Sequence, residues 1–205
     1  SPANARLGRP ALGIFASDLS TRRAASLGAS LDFVILDLEH SPYDLTRLEA
    51  YLLAMLDKRR ILEKGNGQVD VVPIVRLPGY ARERLQFLTK QVLDLGAFGV
   101  VVPHVETREE AQVAVQAARY GQKKGAPDMF PEGQRGVGYG WAARYWGLPG
   151  GTYARKADVW PLDPEGEILV WCMVESAKGV ENAKAIASTP GVSGIFIGPS
   201  DLSSS

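Results

Sequence analysis

Two carboxylates, Glu175 and Asp201, each stand where a short apolar run stops. Ile168–Val174 leads into Glu175, and Gly194–Ile197 leads into Gly198-Pro199-Ser200-Asp201. One helix-like stretch separates the two runs, so a chain that alternates strand and helix brings both acids to neighbouring strand ends. Two converging carboxylates can hold a hard divalent cation and leave positions open for a chelating substrate and water. The plainer alternative is a pair of solvated rim carboxylates or helix caps, for which Ser200-Asp201 has suitable residue types.

Another chemical grouping follows the apolar run 33–36, which ends in Asp37-Leu38-Glu39-His40. His40 is one of 2 histidines in the chain. Carboxylates beside an imidazole at a strand end can tune it for proton transfer near neutrality, although a lone histidine is also commonly structural. Arg76 closes the run 71–75, where a guanidinium aimed into a site would stabilise an enolate oxygen or clamp a carboxylate. Its alternative is a rim salt bridge with Asp37 or Glu39. His104, in Pro103-His104-Val105-Glu106, follows the run Gly99–Val102.

The elements that must position these residues repeat a single plan: an apolar β-rich run, a polar turn, an amphipathic helix. Strands are expected at 12–16, 33–36, 71–75, 99–102, 168–174 and 194–197. Helices are expected near 21–27, from Asp44 through Leu45, Leu48, Leu52, Leu53 and Leu56, through Leu85, Leu88, Val92 and Leu95, over 107–120, and near 180–187. Thr107 and Glu110 have capping-box spacing. Near-continuous apolar strands between amphipathic helices imply a parallel sheet covered by helices. An open doubly wound sheet would spread the strand ends along a line, whereas a barrel rings them on one face. Because Asp37, His40, Arg76, His104, Glu175 and Asp201 all sit at strand ends, the expected fold is an α/β (β/α)8 TIM barrel. About six of its eight βα units are visible, in a single domain over 1–205, against ~250 residues for a complete barrel. Residues 121–167, rich in Gly and aromatics (Tyr139, Trp141, Tyr145, Trp146, Tyr153), read as a long loop insertion, either a substrate lid or an interface.

Composition narrows the function classes. The 205 residues are 45% hydrophobic and 22% charged, with 23 basic against 23 acidic side chains. That balance gives no electrostatic footprint for nucleic acid or an anionic membrane. The lone Cys172, inside an apolar run, suits a reducing compartment and a buried thiol rather than a nucleophile. The start, Ser1-Pro2-Ala3-Asn4-Ala5-Arg6, lacks the layout of a secretion signal, and no apolar run reaches the length of a membrane span, so a cytoplasmic location is expected. Gly136-Val137-Gly138-Tyr139-Gly140 does not join a strand to a helix as a dinucleotide site requires. No lysine ends a strand, as a Schiff-base aldolase would need, and Lys178 lies beyond Glu175 in a polar turn.

Taken together, Asp37-Leu38-Glu39-His40-Ser41-Pro42, Val75-Arg76, Arg135-Gly136-Val137-Gly138, Val174-Glu175 and Gly198-Pro199-Ser200-Asp201-Leu202-Ser203 resemble the HpcH/HpaI (citrate-lyase-like) aldolase family. The resemblance implies a barrel enzyme, a class II aldolase or carbon–carbon lyase, that binds Mg²⁺, Mn²⁺ or Co²⁺ through Glu175 and Asp201. It cleaves or forms a C–C bond through a pyruvate enolate, with a 4-hydroxy-2-oxo acid and an aldehyde as partners. His40 is then the acid/base, Arg76 stabilises the enolate, Asp37 helps hold the metal-bound water, and Asp94 orients the histidine. Backbone N–H groups near Ser200 and Asp201 receive the substrate carboxylate. A homo-oligomer, a hexamer in relatives, is implied as well.

Two departures qualify that picture. Many relatives carry glutamine where this chain has Met173, which removes a polar contact. His104 is not general in the family but is similar to macrophomate-synthase-type members, which decarboxylate oxaloacetate, and is read here as a substrate contact. The alternatives are therefore an oxaloacetate decarboxylase of that type and a non-catalytic truncated barrel.

Overall fold

The computed structural model describes residues 8–28, 30–84 and 86–205. The expected helical position Leu85 and the N-terminal residues Ser1 to Arg6 lie outside the described residues.

Among the described residues the strands are β1 (Gly13–Ala16), β2 (Phe33–Asp37), β3 (Val72–Arg76), β4 (Gly99–Val102), β5 (Val159–Trp160), β6 (Ile168–Val174) and β7 (Gly194–Ile197). The helices are α1 (Thr21–Ala25), α2 (Leu45–Ala54), α3 (Lys58–Lys64), α4 (Gln86–Asp94), α5 (Arg108–Ala118), α6 (Gly140–Tyr145), α7 (Gly150–Lys156), α8 (Ala177–Glu181), α9 (Ala183–Ala187) and α10 (Pro199–Leu202). Every strand pairing is parallel, in the order β1-β2-β3-β4-β6, with β7 and β5 both joined to β6. Leu169 pairs with Gly99 of β4 and with Trp160 of β5, so β5 and β4 lie on opposite edges of β6. The arc β1-β2-β3-β4-β6-β7 is the expected part of a (β/α) barrel.

Burial explains why the apolar runs became strands. Val34, Ile74, Val100, Val101, Ile168 and Val170 are fully buried, as strands covered on both faces require. Local chemistry sets the helix starts. Asp44 accepts from the Arg47 amide at 3.0 Å, and Thr107 and Glu110 form the expected capping box on α5. The helix expected near 180–187 is divided at Asn182, whose Nδ2 donates to the Glu106 carbonyl at 2.8 Å.

The structure differs from expectation over 121–167. This stretch carries α6, α7 and the two-residue β5, which adds a seventh strand to the six read from the sequence. Three of its aromatics are anchors: Tyr145, Trp146 and Tyr153 are buried, and Trp146 stacks on Phe98 with ring centroids 4.0 Å apart, whereas Phe130 and Trp141 are exposed. Arg119, with no side-chain exposure, ties the segment down through Asp158 (2.6 and 2.7 Å) and the Pro131 carbonyl (2.8 Å). No described helix is long and apolar enough to cross a membrane.

Candidate active site

The carboxyl ends of β2, β3, β4 and β6 deliver Asp37, Arg76, His104 and Glu175 to one rim, and the turn after β7 delivers Asp201. Register does the first part of this work, because Asp37 and Arg76 are paired positions on adjacent strands. Arg76 donates from Nε to Asp37 Oδ1 at 2.8 Å and from Nη2 to Oδ2 at 2.7 Å, while its Nη1 lies 2.9 Å from Glu39 Oε2. The guanidinium carbon sits 5.0 Å from the Phe15 ring centroid.

These contacts divide the two acids. Burial pushes Asp37 up, but the Arg76 hydrogen bonds and charge, with the Glu39 and His40 amides, outweigh it and hold the carboxyl below its ordinary value. For Glu39, burial prevails over the attraction of Arg76 and His40, and repulsion from Glu175 and Asp37 adds to it, so its carboxyl is raised. Arg76 is lowered by burial and raised further by Asp37, Glu39 and Glu175, which keeps it fully cationic.

Glu175 is buried at 3% exposure, and its Oε1 accepts the His104 amide at 2.8 Å. Gly198 makes this packing possible. A Cβ there would lie 2.6 Å from Glu175 Oε2 and 2.7 Å from Glu175 Cβ, closer than real contacts allow. The His104 backbone has φ of +49°, and its ring centroid is 3.9 Å from that of Tyr80. His104 Nε2 is 3.6 Å from Glu175 Oε1 and 3.4 Å from Asp201 Oδ2. One ligand atom from each of His104, Glu175 and Asp201 lies within 4.8 Å of the others. That spacing suits a shared divalent cation, and the buried His104 Nε2 has no hydrogen-bond partner.

His40 stands at the edge of this group, with its side chain 66% exposed and Nε2 3.8 Å from Glu39 Oε2. Ser200 lies exposed in the single turn of α10, whose first amides have no intrahelical partner. Asp94, by contrast, is held by Arg135 at 2.8 Å, and no ion pair joins it to His40 among the described residues. Sequence reasoning missed Tyr80 as the wall behind His104 and Gly198 as the space that lets Glu175 in. It gave Glu39 a part only as a carboxylate beside His40 and as a salt-bridge alternative for Arg76. The Gly198-Pro199 step directly after an apolar run was the one available signal for a close approach.

Cys172 takes no part: burial pushes its thiol up to about 12, which fits the structural role expected for it.

Comparison with known proteins points the same way as this geometry. The family model for HpcH/HpaI aldolase/citrate lyase matches residues 16–205. The chain is 34% identical over 174 residues to 5-keto-4-deoxy-D-glucarate aldolase of Escherichia coli (strain K12), covering 85% of this chain and 56% of that protein. The chain thus spans little more than half of the curated relatives it matches. A solved HpcH/HpaI aldolase/citrate lyase family protein from Burkholderia cenocepacia J2315 superposes with a TM-score of 0.72 at 31% identity, covering 96% of this chain and 66% of that one. Macrophomate synthase superposes with a TM-score of 0.63 at 27% identity, covering 97% and 59%. With the match running from the first strand through the Glu175–Asp201 rim, the chain belongs to the HpcH/HpaI aldolase/citrate lyase family.

Proposed function

We propose that this chain carries the active centre of a divalent-metal-dependent aldolase, a carbon–carbon lyase acting next to the carbonyl of a pyruvate-type 2-oxo acid. The observation that carries the reading is the meeting of the Glu175 and Asp201 carboxylates at the rim, with ligand atoms within 4.8 Å of each other and Glu175 inside the electrostatic reach of Arg76. Glu175 and Asp201 would hold the cation. When bound, Mg²⁺, Mn²⁺ or Co²⁺ acts as a Lewis acid that polarises the ketone oxygen of a chelating 2-oxo acid.

The chain's own groups supply the rest. Arg76 presents fixed donors to the oxygen on which negative charge grows, and its grip on Asp37 and Glu39 fixes the fork before substrate arrives. Asp37, kept ionised by that grip, holds the Arg76 plane. His40 at the open edge takes or gives the hydroxyl proton at Nε2. Glu39 is the carboxylate beside its ring, because Asp94 is engaged by Arg135. The first-turn amides near Ser200 and Asp201 offer donors to the substrate carboxylate. Assembly as a homo-oligomer and a cytoplasmic location belong to the same proposal.

A second reading, oxaloacetate decarboxylation, is favoured by His104 at the rim and by the likeness to macrophomate synthase. The test is pyruvate release from 4-hydroxy-2-oxo acids and from oxaloacetate, with and without added Mg²⁺, Mn²⁺ or Co²⁺. Metal-dependent release from the hydroxy acids supports the aldolase, and release from oxaloacetate alone supports the second reading. Release that EDTA leaves untouched overturns metal dependence, and no release from either substrate leaves the non-catalytic barrel.

A further inference from the structure

The proposed function, with the cation held by Glu175 and Asp201, leaves one buried polar atom of the rim without a role. His104 Nε2 is shielded from solvent and has no hydrogen-bond partner, although two carboxylate oxygens lie 3.4 and 3.6 Å away. A histidine serving as a hydrogen-bond donor to either acid would draw to about 2.7–3.2 Å. Two ligands of one cation behave differently. With each bond about 2.1 Å long, they stand about 3.0 Å apart at a right angle and about 3.4 Å apart at the tetrahedral angle. At 3.4 and 3.6 Å, the His104 distances to Asp201 and Glu175 stand near shared-ligand spacing and beyond hydrogen-bond spacing.

The ring is also held there. The His104 amide donates to Glu175 Oε1 at 2.8 Å, the Val105 amide donates to the Met173 carbonyl at 3.0 Å, and the Tyr80 ring packs against the imidazole. A non-glycine residue at φ +49° is uncommon outside Asn, Asp and His, and persists where its surroundings over-determine it. The strained backbone aims the nitrogen between the acids.

We propose that His104 is a third protein ligand, so that the centre presents one nitrogen and two carboxylates rather than carboxylates alone. This rests on the metal reading above and deepens it. It replaces the substrate-contact role read for His104 from the sequence. An imidazole nitrogen favours borderline cations, so Co²⁺ and Zn²⁺ gain affinity over Mg²⁺, whose preferred partners are oxygens.

The experiment measures direct binding of Mg²⁺, Co²⁺ and Zn²⁺ by calorimetry. It also records pulsed EPR of bound Mn²⁺, in which a coordinated nitrogen modulates the echo. The chain has only two imidazoles, His40 and His104. The nitrogen modulation should therefore survive in His40→Ala and vanish in His104→Asn, a substitution that tolerates positive φ. His104→Asn should lose on the order of 10–100-fold in Co²⁺ and Zn²⁺ affinity but less than about threefold in Mg²⁺ affinity. Wild-type protein that binds these metals through oxygen alone, or His104→Asn with unchanged Co²⁺ and Zn²⁺ affinity, overturns the third ligand and leaves the carboxylate site standing. Binding that Glu175→Gln does not weaken, or no binding by the wild type, overturns both. The wild-type EPR signal decides the matter independently should His104→Asn fail to fold.

Discussion

Arg76 meets Asp37 side-on, Nε to Oδ1 at 2.8 Å and Nη2 to Oδ2 at 2.7 Å, across two positions that face each other in the β2–β3 register. The fork uses two donors of one rigid plane and leaves Nη1 to Glu39. A lysine in the same place keeps the charge but loses both the plane and the second bond. Arg76→Lys is expected to fold and to lose on the order of 10²-fold in kcat, the scale for removing one preorganised donor. Steady-state kinetics beside thermal melting separates the cases. Near-normal kcat with a lowered Tm would reduce Arg76 to a structural ion pair.

Asp37→Asn examines the other half of that pair. Glu39 still faces the guanidinium, so the variant should lose roughly 2–4 kcal/mol at neutral pH, overlapping the range for a buried pair deprived of one partner. Asp37 is held below its ordinary pKa in the folded chain. Its contribution is therefore complete above the unfolded carboxylate value of about 3.9 and fades as pH falls through the lower folded value. Glu39, raised by burial, works in the opposite sense, but it is present in both proteins and largely cancels in the difference. Urea melts at several pH values should show the two stabilities converging only in strong acid. A gap that stays constant down to pH 2 would mean that Asp37 is not the ionised partner.

Gly198 is expected to be intolerant for a spatial reason. The Cβ of Gly198→Ala would overlap Glu175 Oε2, Glu175 Cβ and Met173 Cε, at 2.6, 2.7 and 2.7 Å. Relief requires moving either the β7–α10 turn that carries Asp201 or the Glu175 side chain. A cost of roughly 1–3 kcal/mol, as for overpacking elsewhere, should accompany weaker metal binding. Calorimetry on the folded variant checks it, and wild-type affinity would show that the turn yields without disturbing the site.

These outcomes also show what sequence alone conveys. Four of the six rim residues, Asp37, Arg76, His104 and Glu175, were legible as strand-end positions because β2, β3, β4 and β6 are covered on both faces and read as unbroken apolar runs, and Asp201 was legible from the Gly198-Pro199 step after the run 194–197. His40 was legible by its neighbours, and Thr107–Glu110 by its spacing. What stayed hidden depends on contacts between distant positions. Nothing local to Arg119 announces Asp158, yet that pair fastens the stretch expected to be a loop. Asp94 carries no mark that Arg135 will take it rather than His40. The +49° φ of His104 follows from Glu175 and Tyr80, which lie far from it in the chain.

His40 is where the two enzymatic readings diverge. Its ring is the most exposed of the rim groups, beside Glu39 and outside the His104–Glu175–Asp201 set. Removing it should therefore leave metal affinity unchanged. Aldol cleavage needs a base for the substrate hydroxyl proton, so His40→Ala should slow it by roughly 10²–10⁴-fold. Decarboxylation of oxaloacetate generates the enolate by losing CO₂, with no hydroxyl proton to remove. Arg76 and the cation then carry most of that barrier, and the same variant should lose far less activity. The decisive measurement is the ratio of the two rate losses in one preparation, read beside metal affinity from calorimetry. Equal losses together with weakened metal binding would mean that His40 organises the centre and moves no proton.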